Sequence, residues 1–173
     1  MSKDNTRGDF YTKIGVVSDT HSKRLPPQML KDFQAVDFIL HAGDFADVSV
    51  LDELSKIKKV EGVCGNMDGA VLCQQLPKKR IIPCGPYQIG LTHGGGAPKK
   101  LLEKVKEIFK NDRVDVVVFG HSHHPMNEII NGVLFFNPGS PTDDIFAPYR
   151  SYGILDISNQ GIKGRIIEVK NEK

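Results

Sequence analysis

Apolar residues gather in short runs along the first two thirds of the chain. Ile14-Gly15-Val16-Val17, Phe38-Ile39-Leu40, Val60 to Cys64, Gln88 to Leu91 and Val114 to Phe119 have the length and β-branched content of buried strands. Between them the period changes. Val50, Leu51, Leu54 and Ile57 recur at helical spacing, as do Leu101, Leu102, Val105, Ile108 and Phe109, with Pro98 near the start of that second helix. Such alternation predicts a sheet of parallel strands with helices packed against it. In the last third, Gly132 to Phe136, Ser151 to Ile157 and Ile162 to Val169 read as strands separated by Gly, Asn and Pro turns. No convincing helix lies among them, so the sheet is expected to gain antiparallel strands there. The pattern shows no repeat and no linker. A single domain is expected over 13–170, with 1–12 and 171–173 as flexible tails.

Composition supports a globular reading and narrows the partners. A chain of 173 residues fits one domain and can bury a core without disulfides or a structural zinc. The formal net charge of +2 is too small to argue for a membrane or for nucleic acid. Basic clusters such as Lys78-Lys79-Arg80 and Lys99-Lys100 read as solvated surface. Cys64, Cys73 and Cys84 form no Cys-x-x-Cys pair and are expected to be reduced thiols with structural roles. The polar start of the chain lacks the apolar core of a signal peptide, and no apolar run approaches a membrane span. A cytoplasmic location follows as the expectation, and a homo-oligomer remains open.

The candidate chemistry lies just after the predicted strands. Asp19 and His21 follow Val16-Val17, Asp44 follows Phe38-Ile39-Leu40, and Asn66 and Asp68 follow Val63-Cys64. His93 follows Ile89-Gly90-Leu91, and His121 and His123 follow Val117-Val118-Phe119. In open α/β sheets the carboxyl ends of the strands form the crevice where ligands bind, so these groups are expected to form one cluster. Residues two apart on an extended chain face the same way, which predicts that Asp19 joins His21 and that His121 joins His123. The glycines before Asp44, Asn66 and His121 permit sharp turns. Imidazole with carboxylate suits manganese, iron, nickel or zinc. Seven ligands exceed one tetrahedral ion and suit a pair of ions, a spacing fitted to displacement at phosphorus. A bridging carboxylate is then required.

Asp19-x-His21, Gly43-Asp44, Gly65-Asn66, His93 and Gly120-His121-Ser122-His123 together resemble the signature of the calcineurin-like metallophosphoesterase superfamily. The short chain and Asn137-Pro138-Gly139-Ser140 resemble its YfcE-like branch of small phosphodiesterases. The resemblance covers Lys13 to about Val169. It implies an α/β fold in which two mixed β-sheets pack as a sandwich flanked by helices, four layers in the order αββα. It implies that Asp19, His21 and His123 hold one divalent ion, that Asn66, His93 and His121 hold a second, and that Asp44 bridges them. Manganese heads the candidates, with nickel, zinc, iron or magnesium behind it. A metal-bound hydroxide would then attack the phosphorus of a small phosphate ester, a phosphodiester first. Many relatives carry a proton-donating His where this chain has Met67, which leaves Asp68 without the residue it would orient.

Other residues read as structural. His41 is expected to be a partly buried core histidine, and His124 a rim residue. Gly94-Gly95-Gly96 reads as a mobile rim loop rather than a phosphate cradle, because no Walker Lys follows. Asn137 to Ser140 reads first as a strand-ending turn, with support of the metal site as the alternative. Phe135, Phe136, Phe146 and Tyr149 could line a pocket or belong to core and surface. Two other functions compete. One is a non-catalytic interaction module, since the superfamily includes a retromer subunit that acts as a scaffold; its incomplete ligand set contrasts with the full set here. The other is a nuclease, disfavoured by the lack of a basic face.

Overall fold

A computed structural model describes residues 9–21 and 23–170. Its strands form two mixed sheets of five. In the first, β1 (Tyr11–Val17), β2 (Phe38–His41) and β3 (Val60–Gly62) run parallel, and β9 (Ser151–Ser158) and β10 (Gly161–Glu168) add antiparallel, in the order β10-β9-β1-β2-β3. The second has the order β4-β5-β6-β8-β7, from β4 (Lys79–Cys84), β5 (Tyr87–Thr92), β6 (Val116–Val118), β7 (Met126–Ile130) and β8 (Val133–Asn137). Its central strands β5, β6 and β8 are parallel, and its two edge pairs are antiparallel.

The continuous apolar runs have a simple cause: both faces of the central strands are covered. On β1, Ile14 and Val16 point between the sheets, where they meet Leu40, Ile89, Val116, Val118, Phe136 and Leu155. Val17 points outward into the layer formed by α1 (Pro27–Phe33), α2 (Val48–Ser55) and α3 (Ala70–Gln75), against Met29, Phe33, Leu54 and Leu72. On β6, Val117 points to the other outer layer, where α4 (Leu101–Ile108) brings Leu101 and Val105. The expected four-layer αββα sandwich is the architecture found.

Four elements carry no apolar run and escape the sequence pattern. β4 and β7 are the edge strands of the second sheet and are largely exposed, so neither needs a buried face. Pro83 sits on β4, where an edge tolerates the missing N–H. The helices α1 and α3 are short, and α1 buries only Met29 and Phe33. The strand-forming chain also begins earlier than expected. Tyr11 and Thr12 pair with Ser158 and Ile157, and Phe10 packs on the core between the sheets. They belong to the sandwich because β9 runs far enough to pair with them, and the rest of the expected tails, residues 1–8 and 171–173, lies outside the described residues. Among the described residues, no helix is long and apolar enough to cross a membrane.

Candidate metal centre

The carboxyl ends of β1, β2 and β3 from one sheet and of β5 and β6 from the other meet at one end of the sandwich, and the seven candidate ligands collect there. Asp19, His21 and His123 present ligand atoms within 4.8 Å of one another, and so do Asp19, Asp44 and His93. Asn66 links the remaining histidine: its Oδ1 lies 2.9 Å from His93 Nε2 and 3.0 Å from His121 Nδ1.

The pairs converge by a route the spacing did not suggest. Asp19, His21, Asp44, His121 and His123 all have left-handed backbone, with φ between 48° and 72°. They lie beyond the strands, so strand alternation does not set their direction. His121 and His123 do not face the same way: His123 joins Asp19 and His21, whereas His121 turns to Asn66. Close backbone contact makes the turns possible. A Cβ added to Gly120 would lie 1.9 Å from Ser18 Oγ, and one added to Gly65 would lie 2.1 Å from Asp44 Oδ1.

Three histidines have one ring nitrogen anchored and the other presented to the cluster. His93 Nδ1 donates to the Ala42 carbonyl at 2.8 Å, and His121 Nε2 to the Gly96 carbonyl at 2.8 Å. His123 Nδ1 donates to the Asp143 carboxylate. Anchoring of this kind fixes ring orientation and tautomer in metal sites. His123 Nε2 and His21 Nε2 then lie 3.2 Å apart, both aimed at the cluster.

Burial leaves one group stranded. Asp19 is fully buried and its Oδ1 has no hydrogen-bond partner. Around that oxygen stand the Nε2 atoms of His123, His21 and His93, at 3.3, 3.9 and 4.0 Å. A buried carboxylate oxygen without a donor is costly unless a cation meets it, so the donor set fits a divalent metal ion. Burial opposes charging His123, but the Asp19 and Asp143 carboxylates outweigh it and push its pKa up to about 9. His93 is raised against burial by Asp44 and Asp19. Asp44, which burial would push up, is instead held below the usual carboxylate range by His93 and the Met67 N–H.

The surrounding residues brace these groups. Asp68 accepts the N–H of Asp44, Ala46 and Gly65 at 3.0, 2.7 and 2.7 Å. Its role is therefore to hold the β2 and β3 loops, not to orient residue 67, and the Met67 side chain is 59% exposed. The Asn137–Ser140 segment ends β8, as the first reading has it, and also supports the site, as the alternative has it. Asn137 Nδ2 donates to the Gly120 carbonyl and Ser140 Oγ to the Asp19 carbonyl. His41 is completely buried, stacked on Phe45, and kept neutral by burial and by the charge of His93. Its Nδ1 accepts the Gly43 N–H, so the ring is structural. The Gly94–Gly96 loop has positive φ throughout and anchors His121 through Gly96. Phe135 and Phe136 are core, and Phe146 and Tyr149 are exposed.

Two features lay outside the sequence reading. Asp143 sits 20 residues after His123 in a polar loop, and no spacing rule marks it. Cys64 and Cys73 are joined in a disulfide, with Cα atoms 5.1 Å apart, contrary to the expectation of three thiols. The loop after β3 folds back through α3 and brings them together; Cys84 alone is free, and it is buried.

Comparison with known proteins agrees with this geometry. The probable metallophosphoesterase MJ0623 of Methanocaldococcus jannaschii is 39% identical over 134 residues, covering 75% of this chain and 68% of that protein. The phosphodiesterase MJ0936 of the same organism is 26% identical over 172 residues, covering 90% and 99%. Vacuolar protein sorting 29 of Cryptosporidium parvum shares the fold, with a TM-score of 0.73 at 21% identity over 94% of this chain and 100% of that one. The model of the calcineurin-like phosphoesterase superfamily domain matches residues 12–160, a span that holds all seven clustered groups. By both its fold and that match, the chain belongs to the calcineurin-like phosphoesterase superfamily.

Proposed function

We propose that this protein hydrolyses a small phosphate ester, most readily a phosphodiester, at a centre of two divalent cations. Asp19, His21 and His123 hold one cation, Asn66, His93 and His121 hold the other, and Asp44 lies between them. Manganese is the first candidate, ahead of nickel, zinc, iron and magnesium, because the donors are oxygen and imidazole with no thiolate. The observation that carries this reading is the stranded Asp19 Oδ1, buried among three imidazole nitrogens.

When bound, the cations supply Lewis acidity, an activated water and neutralisation of charge developing at phosphorus. The chain's own residues prepare for this. Asp44 Oδ2 reaches both halves, 3.3 Å from His93 Nε2 and 3.9 Å from His21 Nε2, while its Oδ1 is held by the Met67 N–H at 2.7 Å. Asp143 and the Ala42 carbonyl keep His123 and His93 aimed inward. Asp19 and Asp44 do not neutralise two divalent cations, so the centre keeps positive charge for an anionic ester.

A screen of phosphomonoesters, phosphodiesters and cyclic nucleotides with added metals tests the proposal. Diester hydrolysis abolished by a chelator and restored by manganese is the expected result. Full activity in exhaustively metal-free protein would overturn it. Bound metal with no turnover on any ester would instead favour a non-catalytic interaction module on the same fold.

A further inference from the structure

A cavity of about 350 Å³ opens beside the cluster, and Asn66 and His93 form part of its wall. Lys78, Lys79, Lys104 and Thr92 also line it, and no acidic side chain does. The three lysines are not equivalent. Lys79 is occupied, since its ammonium pairs with Asp112, donates to the Ile108 carbonyl at 2.9 Å and lies 5.0 Å from the centre of the Phe109 ring. Lys78 and Lys104 form no ion pair among the described residues. Lys104 arches from α4 over the glycine loop, its Nζ 3.3 Å from the position a Cβ on Gly95 would take. The ammonium thus lies against a loop that has no side chains to hold it off.

Lysines on open surface are usually solvated and carry no message. Lys78 and Lys104 are exposed, but both line a cavity that shares its wall with candidate metal ligands, and neither has an ion-pair partner among the described residues. An ester held at the cations would extend one of its halves into this cavity, where a second anionic group would meet positive charge unopposed by carboxylates. We propose that the cavity binds a second phosphoryl group of the substrate, so that the preferred esters are phosphodiesters carrying a further phosphate, and that Lys78 and Lys104 determine this preference. The inference rests on the proposed phosphoesterase activity and names the substrate class of that site.

The test uses two chromogenic diesters with the same scissile bond, the p-nitrophenyl ester of thymidine 5′-phosphate with and without a 3′-phosphate. The readout is the ratio of their kcat/KM values in manganese-loaded protein. The wild type is expected to favour the 3′-phosphorylated ester. Lys78→Ala and Lys104→Ala should each lower the ratio about two- to fivefold, the range of exposed charge pairs, while Lys163→Ala on β10 should leave it unchanged. Equal rates on the two esters, or a preference that survives in the double variant, would overturn the proposal. A drop in Lys163→Ala equal to that in Lys104→Ala would overturn it too, because the effect would then belong to the overall field. Calorimetric binding of thymidine 3′,5′-bisphosphate and of thymidine 5′-phosphate reads the same preference without turnover. If neither ester is hydrolysed, the hydrolytic reading fails, while tighter binding of the bisphosphate that is lost in the double variant still supports the cavity; equal binding overturns it.

Discussion

Asp143 accepts a hydrogen bond from Nδ1 of His123, and the same carboxylate accepts the backbone N–H groups of Ile145, Phe146 and Ala147. One buried carboxylate therefore fixes a candidate ligand and the loop that follows. With this support and the charge of His123, the Asp143 pKa is pulled down to about 2 even though burial opposes it. Removing such a partner typically weakens metal binding about 10–100-fold. Asp143→Ala is expected to lower affinity by that amount at the site that uses His123 and to spare the other. Calorimetric metal titration checks this; unchanged affinity at both sites would restrict Asp143 to capping its own loop.

The two buried carboxylates should separate in the same assay. Asp44 lies between the halves of the cluster, so Asp44→Asn is expected to weaken both cations. Asp19 sits closest to His123, so Asp19→Asn should weaken mainly one. Two sites of undiminished affinity in Asp44→Asn would refute the bridging assignment.

Metal uptake should depend on pH with a definite sign. In the metal-free protein the His123 pKa rises from 6.5 to about 9. Below pH 6.5 both folded and unfolded chains hold that proton, so its contribution to stability is fully present. It is lost as the pH rises through about 9. A cation must displace the proton, so apparent affinity should climb with pH up to about 9 and then level off. Titrations in buffers of different ionisation enthalpy would count the protons released; a flat profile would show that His123 is neutral before metal arrives.

No side chain at position 67 can donate a proton, and Asp68 is already engaged by three backbone N–H groups. The departing oxygen should then bear nearly full negative charge. General acid help is typically worth about 10²–10⁴-fold where it operates. Rates across substituted phenyl phosphodiesters are therefore expected to fall steeply with leaving-group pKa. A shallow slope would reveal a donor elsewhere.

Gly120 and Gly69 offer a matched pair for stability. An added Cβ at Gly120 would meet Ser18 Oγ at 1.9 Å and Asp19 Oδ2 at 2.7 Å, whereas one at Gly69 meets nothing within 4 Å. Gly120→Ala should cost about 1–3 kcal/mol and weaken metal binding; Gly69→Ala should do neither. Denaturant unfolding of both variants decides the matter.

The central strands and the clustering of the seven candidate ligands could be read from the chain because each candidate follows a run buried on both faces. Burial of that kind is visible as composition. Edge strands β4 and β7 needed no buried face, so Arg80 or Glu128 left no pattern to find. Asp143 was illegible for another reason: its partner lies 20 residues away, and the contact exists only once β8 has returned beside β6. The Cys64–Cys73 link likewise depends on a fold-back through α3. The expectation that Asp-x-His and His-x-His pairs face one way used the period of a strand where the chain has already left it.

Those left-handed residues carry a consequence for how the protein can change. A side chain in that conformation costs about 1 kcal/mol or more, so five of them together sacrifice roughly 5 kcal/mol, comparable with the whole net stability of a typical domain. Glycine would relieve the strain at any of these positions but would bring no ligand. The end of the sandwich is thus where robustness and chemistry compete. A lineage of this fold released from catalysis would be expected to drift there first, becoming a sturdier but inert protein.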